Sequence, residues 1–211
     1  TRGPSGKVAP RRLYKIRQPE GSEGMKAKKP IVGLDPSLAS FGFASITKNG
    51  TELASIKTRK TGDGLVDRMD RIELLVDQVF KRCQAVRPKM IAIEGYAFGS
   101  RNSRSMTALA ELGGAIRRDL VSHFPVIEIT PSEVKKFATG RGNADKASIR
   151  LSIFKRWEIE AEDDDQADAF VLAKMAEAVI DWKPFGELAG YQKKIIEAIQ
   201  SRGANSAAAN L

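Results

Sequence analysis

Cysteine and histidine occur once each in this 211-residue chain, as Cys83 and His123. A lone cysteine excludes an internal disulfide and any cysteine-built zinc cluster. A lone histidine removes histidine-built metal sites and disfavours Ser-His or Cys-His catalysis. No apolar run approaches the ~18 residues of a membrane span. No stretch combines the charged start, apolar middle and small-residue cleavage site of a secretory signal. A reducing, cytoplasmic compartment and no membrane partner are therefore expected. Any metal would be a hard ion such as Mg²⁺ or Mn²⁺, held by carboxylates.

Basic charge is present but unevenly spread. The formal net charge is +9, yet residues 1–30 hold nine Lys/Arg against Glu20 and Glu23, a net of +7, which leaves +2 for the other 181 residues. The high charge thus belongs to the leading segment, and nucleic-acid binding by the body must be judged on local clusters. Residues 1–29 lack apolar periodicity and read as a mostly disordered basic arm. The arm is either a phosphate-binding segment or an incidental leader ahead of Met25.

The pattern changes at Pro30. Residues 30–35, 41–48 and 51–58 read as three successive strands, with Asn49-Gly50 as a tight hairpin turn. Leu65, Met69, Ile72, Val76, Val79, Phe80 and Cys83 recur at helical spacing and predict a helix over about 64–85. Residues 90–94 form a short strand ending on Glu94. A loop at 95–104 leads to a helix over about 102–122, with His123 just past its end, and 126–129 is a further strand. Short helix 132–138, loop 139–143, and helices 146–157, 164–180 and 187–202 follow, with a frayed end from 204. The domain reading is an arm (1–29), an α/β domain (30–182) and a C-terminal helical extension (183–211). Hairpin-linked strands followed by alternating helix and strand predict a mixed sheet covered by helices.

Four acids stand out. Asp35 ends the first strand and Glu94 the fourth, so parallel pairing would bring both to one sheet edge, where α/β sheets place ligands. Taken alone, Asp35 reads first as a turn cap. Asp163, Asp164, Asp165 and Asp168 open the last main helix. Asp165 and Asp168 share a face at i, i+3. Capping accounts for Asp163 and Asp164, but poorly for Asp168, which lies within the apolar run 167–171. Four acids at one edge would repel unless cations sat between them, and a two-metal carboxylate site suits in-line phosphodiester displacement.

These residues resemble a known family. The stretches 31–37 with Gly42, then 91–94, then 130–136 running into 140–146, and finally 165–169 are similar, in order and spacing, to the RuvC-type Holliday junction resolvases, particularly phage-type members. The resemblance covers about residues 30–180. It implies an RNase H-like mixed five-stranded sheet flanked by helices. It implies Asp35, Glu94, Asp165 and Asp168 as ligands of two Mg²⁺ per site, with Mn²⁺ as a substitute, and Lys146 near the scissile phosphate. It also implies a homodimer that cuts opposed strands of a four-way junction, leaving 5′-phosphate and 3′-hydroxyl ends, in a bacterial or phage-infected cell. Lys146 also follows a glycine-rich turn and starts a helix, an independent signal for a phosphate cradle. Cellular members place an aromatic wedge just after the second acid, whereas here the aromatics are spaced differently. Tyr96 and Phe98 are candidates for stacking on unpaired bases, with Arg101 and Arg104 on phosphates; packing on the core is the other reading for Tyr96. Lys135, Lys136, Arg141 and Arg150 complete the expected DNA contacts. Competing functions are a related nuclease for flaps, branched replication intermediates or RNA, a non-cutting nucleic-acid-binding module, and an actin-like ATPase, which would need a longer chain.

Overall fold

The computed structural model describes residues 12–14, 30–96, 103–180 and 188–208. Strands β1 (Arg12–Tyr14), β2 (Ile31–Asp35), β3 (Ser40–Thr47), β4 (Gly50–Lys57), β5 (Met90–Glu94) and β6 (Val126–Ile129) form one sheet in the order β1-β4-β3-β2-β5-β6. The β2–β3 and β3–β4 pairs are antiparallel, while β2–β5 and β5–β6 are parallel. These five strands are the mixed sheet expected. The sixth, β1, adds antiparallel to the β4 edge. Its three residues lie in the segment read as an arm, where so short a strand leaves no alternation to detect.

Side-chain alternation along the strands sorts the core into two layers. Val32, Leu34, Phe41, Phe43, Ile91 and Ile93 face one side, where they pack with α1 (Leu65–Val86) and α2 (Ser103–Val121). Ile31, Ala44, Ile46, Leu53, Ala92 and Ile129 face the other, under α5 (Asp164–Ile180). Outside α5 lie α3 (Pro131–Thr139), α4 (Lys146–Trp157) and α6 (Gly190–Ala208). Helix α5 is buried almost all round, from Ala167 to Ala178. It can lie so low because the strands beneath it carry little bulk. A Cβ on Gly33 would sit 2.0 Å from the Ala169 carbonyl oxygen, and one on Gly42 would sit 2.2 Å from that of Asp165.

Three details depart from the sequence reading. The hairpin turn is centred on Lys48-Asn49, and only Gly50 there has positive φ, at 130°. Gly50 pairs across the turn with Thr47, so it closes the hairpin and Asn49 needs no left-handed backbone. On α1 the buried stripe is Ile72, Leu75, Val79 and Cys83, whereas Leu65 and Met69 are exposed. Helix α6 runs on to Ala208, past the fraying expected from 204. Its Ile195, Ile196 and Ile199 are buried in the layer containing Val134, Phe137 and Ala138 of α3. The Gln192 side chain donates to the Phe137 carbonyl at 2.9 Å. Among the described residues no helix is long and apolar enough to cross a membrane.

Candidate active site

The same alternation that sorts the core aims the acids. Asp35 has the parity of Ile31 and Gly33, and Glu94 that of Met90 and Ala92, so both project toward the α5 side. The parallel register pairs Leu34 with Ile93, and one step further sets Asp35 beside Glu94 at the carboxyl edge of the sheet. Asp35 is 9% exposed. Across the antiparallel pair it faces Gly42, the residue on which the first turn of α5 rests.

That turn divides four acids among different tasks. The Asp163 carboxylate accepts from the Gln166 amide at 3.0 Å, an N-cap bond, and from the Ser55 hydroxyl of β4 at 2.7 and 2.8 Å. It caps the helix and moors it to the sheet. Asp164 turns the other way and meets Lys146 Nζ at 3.3 Å and Arg150 Nε at 3.5 Å on α4. Asp165 and Asp168 lie close enough to Asp35 for both negative charges to act on its carboxyl group.

The electrostatics register this crowding. Burial, then the charges of Glu94, Asp168 and Asp165, push the Asp35 carboxyl well above the usual carboxylate range. A side-chain hydrogen bond between Asp35 and Glu94 raises Asp35 further. Burial and the charge of Asp168 raise Glu94 to about 7, although that bond, Lys135 and Lys146 pull it back. Burial raises Asp168 to about 6 against the pull of Lys146 and Lys135. For Lys146 itself burial acts downward. The hydrogen bond and charge of Asp164, with the charges of Asp165 and Asp168, outweigh it and leave the ammonium above its ordinary range. Among the described residues no three His, Cys, Asp or Glu groups are yet gathered closely enough to hold an ion. The donor set is oxygen only, the chemistry that suits a hard divalent ion.

Cations approach from two helices. Asp145 caps α4 and places Lys146 as its first residue. The Asp145 carboxylate takes the Ser148 amide at 2.7 Å, so one of the N–H groups expected to cradle a phosphate is already engaged. Lys135 on α3 lies within electrostatic range of Glu94 and Asp168. Tyr96 is half-buried. Its ring stacks on the Arg117 guanidinium, 4.4 Å from the ring centre, and its hydroxyl donates to the Ala110 carbonyl at 3.3 Å. The structure thus places Tyr96 against Arg117 and α2, and neither core layer includes it. Phe98, Arg101 and the Arg104 side chain lie outside the described residues.

The profile of the family "Crossover junction endodeoxyribonuclease RuvC" matches residues 31–175. The chain belongs to the RuvC family. A RuvC from Delftia acidovorans is 33% identical over 148 residues, covering 68% of this chain and 81% of that protein. One from Nocardia farcinica is 32% identical over 154 residues, covering 68% and 78%. Thermus thermophilus RuvC, solved in complex with a Holliday junction substrate, superposes with a TM-score of 0.60 at 20% identity, over 75% of this chain and 96% of that one. The RNase H-like architecture is shared.

The RuvC match spans β2 to α5 and so contains all four acids and Lys146. It stops before α6, which nonetheless buries the outer side of α3 and ties to it through Arg202 and Glu133 at 2.8 Å. Two features of this RuvC member escape a sequence reading. Gly33 and Gly42 matter only once α5 is known to lie over β2 and β3. Arg117 bonds the Glu94 carbonyl at 2.6 Å from 23 residues away, and no periodicity announces such a contact.

The raised carboxyl groups make a prediction about this RuvC member without metal. A carboxyl whose pKa is higher when folded binds its proton more tightly in the native state. The stability so contributed is complete below the unfolded values near 4 and is lost as pH rises through the folded ones. For Glu94, raised from 4.5 to about 7, the loss is on the order of 3 kcal/mol. In EDTA the melting temperature should therefore fall between about pH 5 and pH 7.5. Millimolar Mg²⁺ or Mn²⁺ should restore it at the upper pH and do little at the lower, where protons compete. Thermal melts across that range test this, and a flat profile in EDTA would contradict the crowding.

Proposed function

We propose that this chain is a divalent-metal-dependent endonuclease that resolves four-way DNA junctions. The observation that carries the reading is the convergence of Asp35, Glu94, Asp165 and Asp168 from three separate elements onto one sheet edge, inside a domain of the RuvC family. The relatives named above are crossover junction endodeoxyribonucleases, and one was solved with a junction.

In this reading Asp35, Glu94, Asp165 and Asp168 would hold two Mg²⁺ ions, with Mn²⁺ as a substitute. Asp35, on which the charges of the other three all act, would serve both ions. When bound, such a pair supplies an activated water and charge stabilisation for in-line hydrolysis, giving 5′-phosphate and 3′-hydroxyl ends. The chain's own part is to neutralise and orient. Lys146 would leave Asp164 for the scissile phosphate, and Lys135 would meet the same strand from α3. Lys136, Arg141 and Arg150 would carry the backbone further along α3 and α4. Deprotonation of Asp35 and Glu94 would accompany loading of the site.

A homodimer would place two such sites on opposed strands. Leu65, Val66 and Met69 at the start of α1, with Met106 near the start of α2, are exposed apolar residues on neighbouring helices. They support α1 and α2 as the interface. Purified protein with Mg²⁺ and a panel of labelled four-way, flap and linear duplex DNAs tests the whole reading. Paired symmetrical cuts confined to the four-way junction are expected. Cutting of flaps alone would reassign the substrate, and no cutting of any branched DNA would refute the enzyme.

A further inference from the structure

We propose that Arg117 is a positioning residue for Glu94, with Tyr96 as its stacking anchor and not as a base-stacking residue. This rests on the reading of Glu94 as a metal ligand. The side chain is 17% exposed, and each of its three guanidinium nitrogens donates a hydrogen bond. Its Nη2 donates to the Glu94 carbonyl at 2.6 Å, Nη1 to the Gly113 carbonyl at 3.1 Å and Nε to the Glu128 carboxylate at 2.8 Å. Its face covers the Tyr96 ring at 4.4 Å. One side chain thus ties the ends of β5 and β6 to α2.

The sheet itself leaves a vacancy for this bond. Gly95 N donates to the Ile129 carbonyl, so residues 93 and 95 bond toward β6 and residue 94 bonds toward β2. Continuing the β2–β5 register from Leu34↔Ile93, the amide opposite the Glu94 carbonyl is that of Pro36. Proline has no N–H to give. Arg117 supplies the missing donor, at the residue whose side chain must hold its place against three other carboxylates. Gly113 keeps the space open. A Cβ there would lie 2.4 Å from Tyr96 Oη and 2.5 Å from Arg117 Nη1.

A lysine cannot span three acceptors and stack at once. Arg117→Lys and Arg117→Ala should therefore weaken Mn²⁺ binding, measured by calorimetry, by roughly tenfold. The half-saturating Mg²⁺ for junction cleavage should rise by a similar factor, with KM for the junction unchanged. Tyr96→Leu should move metal binding in the same direction, and Tyr96→Phe, which keeps the stack, should not. Arg82→Ala is the control. It removes another half-buried ion pair, to Glu52 at 3.0 Å, and should lower the melting temperature without altering metal binding. Unaltered Mn²⁺ binding in Arg117→Ala would overturn the inference alone, as would an equal loss in Arg82→Ala. A tenfold rise in junction KM for Tyr96→Leu, with metal binding intact, would overturn the anchoring role of Tyr96. Wild-type protein that neither binds Mn²⁺ nor cuts would overturn the catalytic reading and the inference with it.

Discussion

Asp35→Asn should reduce junction cleavage by about three orders of magnitude or more, yet leave a protein that is more stable than the wild type without metal. The two effects share one cause. Asp35 is the most buried of the four acids at the sheet edge, and burial plus three neighbouring charges oppose its ionisation. An amide of the same shape removes the repulsion and keeps a donor for Glu94. In the proposed reading it also removes a ligand shared by two ions. Metal ions supply several kcal/mol of transition-state stabilisation, and each ~1.4 kcal/mol is tenfold in rate. Junction binding in EDTA should hold or tighten, because a negative charge has gone from a surface that meets phosphates. Strand-specific cleavage assays, gel-shift titration and melts on one preparation settle the matter. Cutting at a wild-type rate would remove Asp35 from the site.

Gly42→Ala should give the opposite pairing, with loss of both cleavage and stability. Gly42 faces Asp35 across the β2–β3 ladder. An added Cβ would lie 2.2 Å from the Asp165 carbonyl oxygen, 2.8 Å from its carbonyl carbon and 3.1 Å from Asp35 Cβ. The obstacle is mainly main chain, so no rotamer change relieves it, and the start of α5 must rise. Overpacking of this kind costs about 1–3 kcal/mol. A shift of ~1 Å in a reacting constellation can cost about a hundredfold in rate. Because Asp163 is moored to Ser55, the displacement should fall on Asp165 and Asp168. Excess Mn²⁺ should recover part of the lost rate by drawing the displaced carboxylates back. A folded Gly42→Ala protein with wild-type cleavage would show that α5 need not lie so close.

Much of this architecture was readable because it follows from local rules. Strand parity and strand ends located Asp35 and Glu94, and the apolar company of Asp168 separated it from the capping acids. The β-hairpin was visible, although its turn lies one residue earlier, because Gly50 takes the positive φ in a paired position. What escaped depends on which element lies over which. Nothing in the sequence around Gly33 says that Ala169 will lie against it. Arg117 reads as one of an adjacent pair of surface arginines near the end of a helix until β5 and β6 are set beneath α2. The β1 strand escaped for a different reason: three residues among many basic ones give no pattern, and the pairing is decided by an open β4 edge. Helix α6 was expected as an extension, but its place over α3 required the fold.

The first turn of α5 also constrains how this gene can change. Asp163, Asp164, Asp165 and Asp168 point to β4, to α4 and to the acids at the sheet edge, and each residue of a helix turns about 100°. A codon gained or lost between Asp163 and Asp168 would rotate Asp168 away from Asp35 while the cap stayed where it is. The same change a few codons earlier, in the connection from α4 at the exposed Glu160 or Glu162, would leave every acid in phase. Length variation among descendants of this sequence should therefore collect just before Asp163 and stop there.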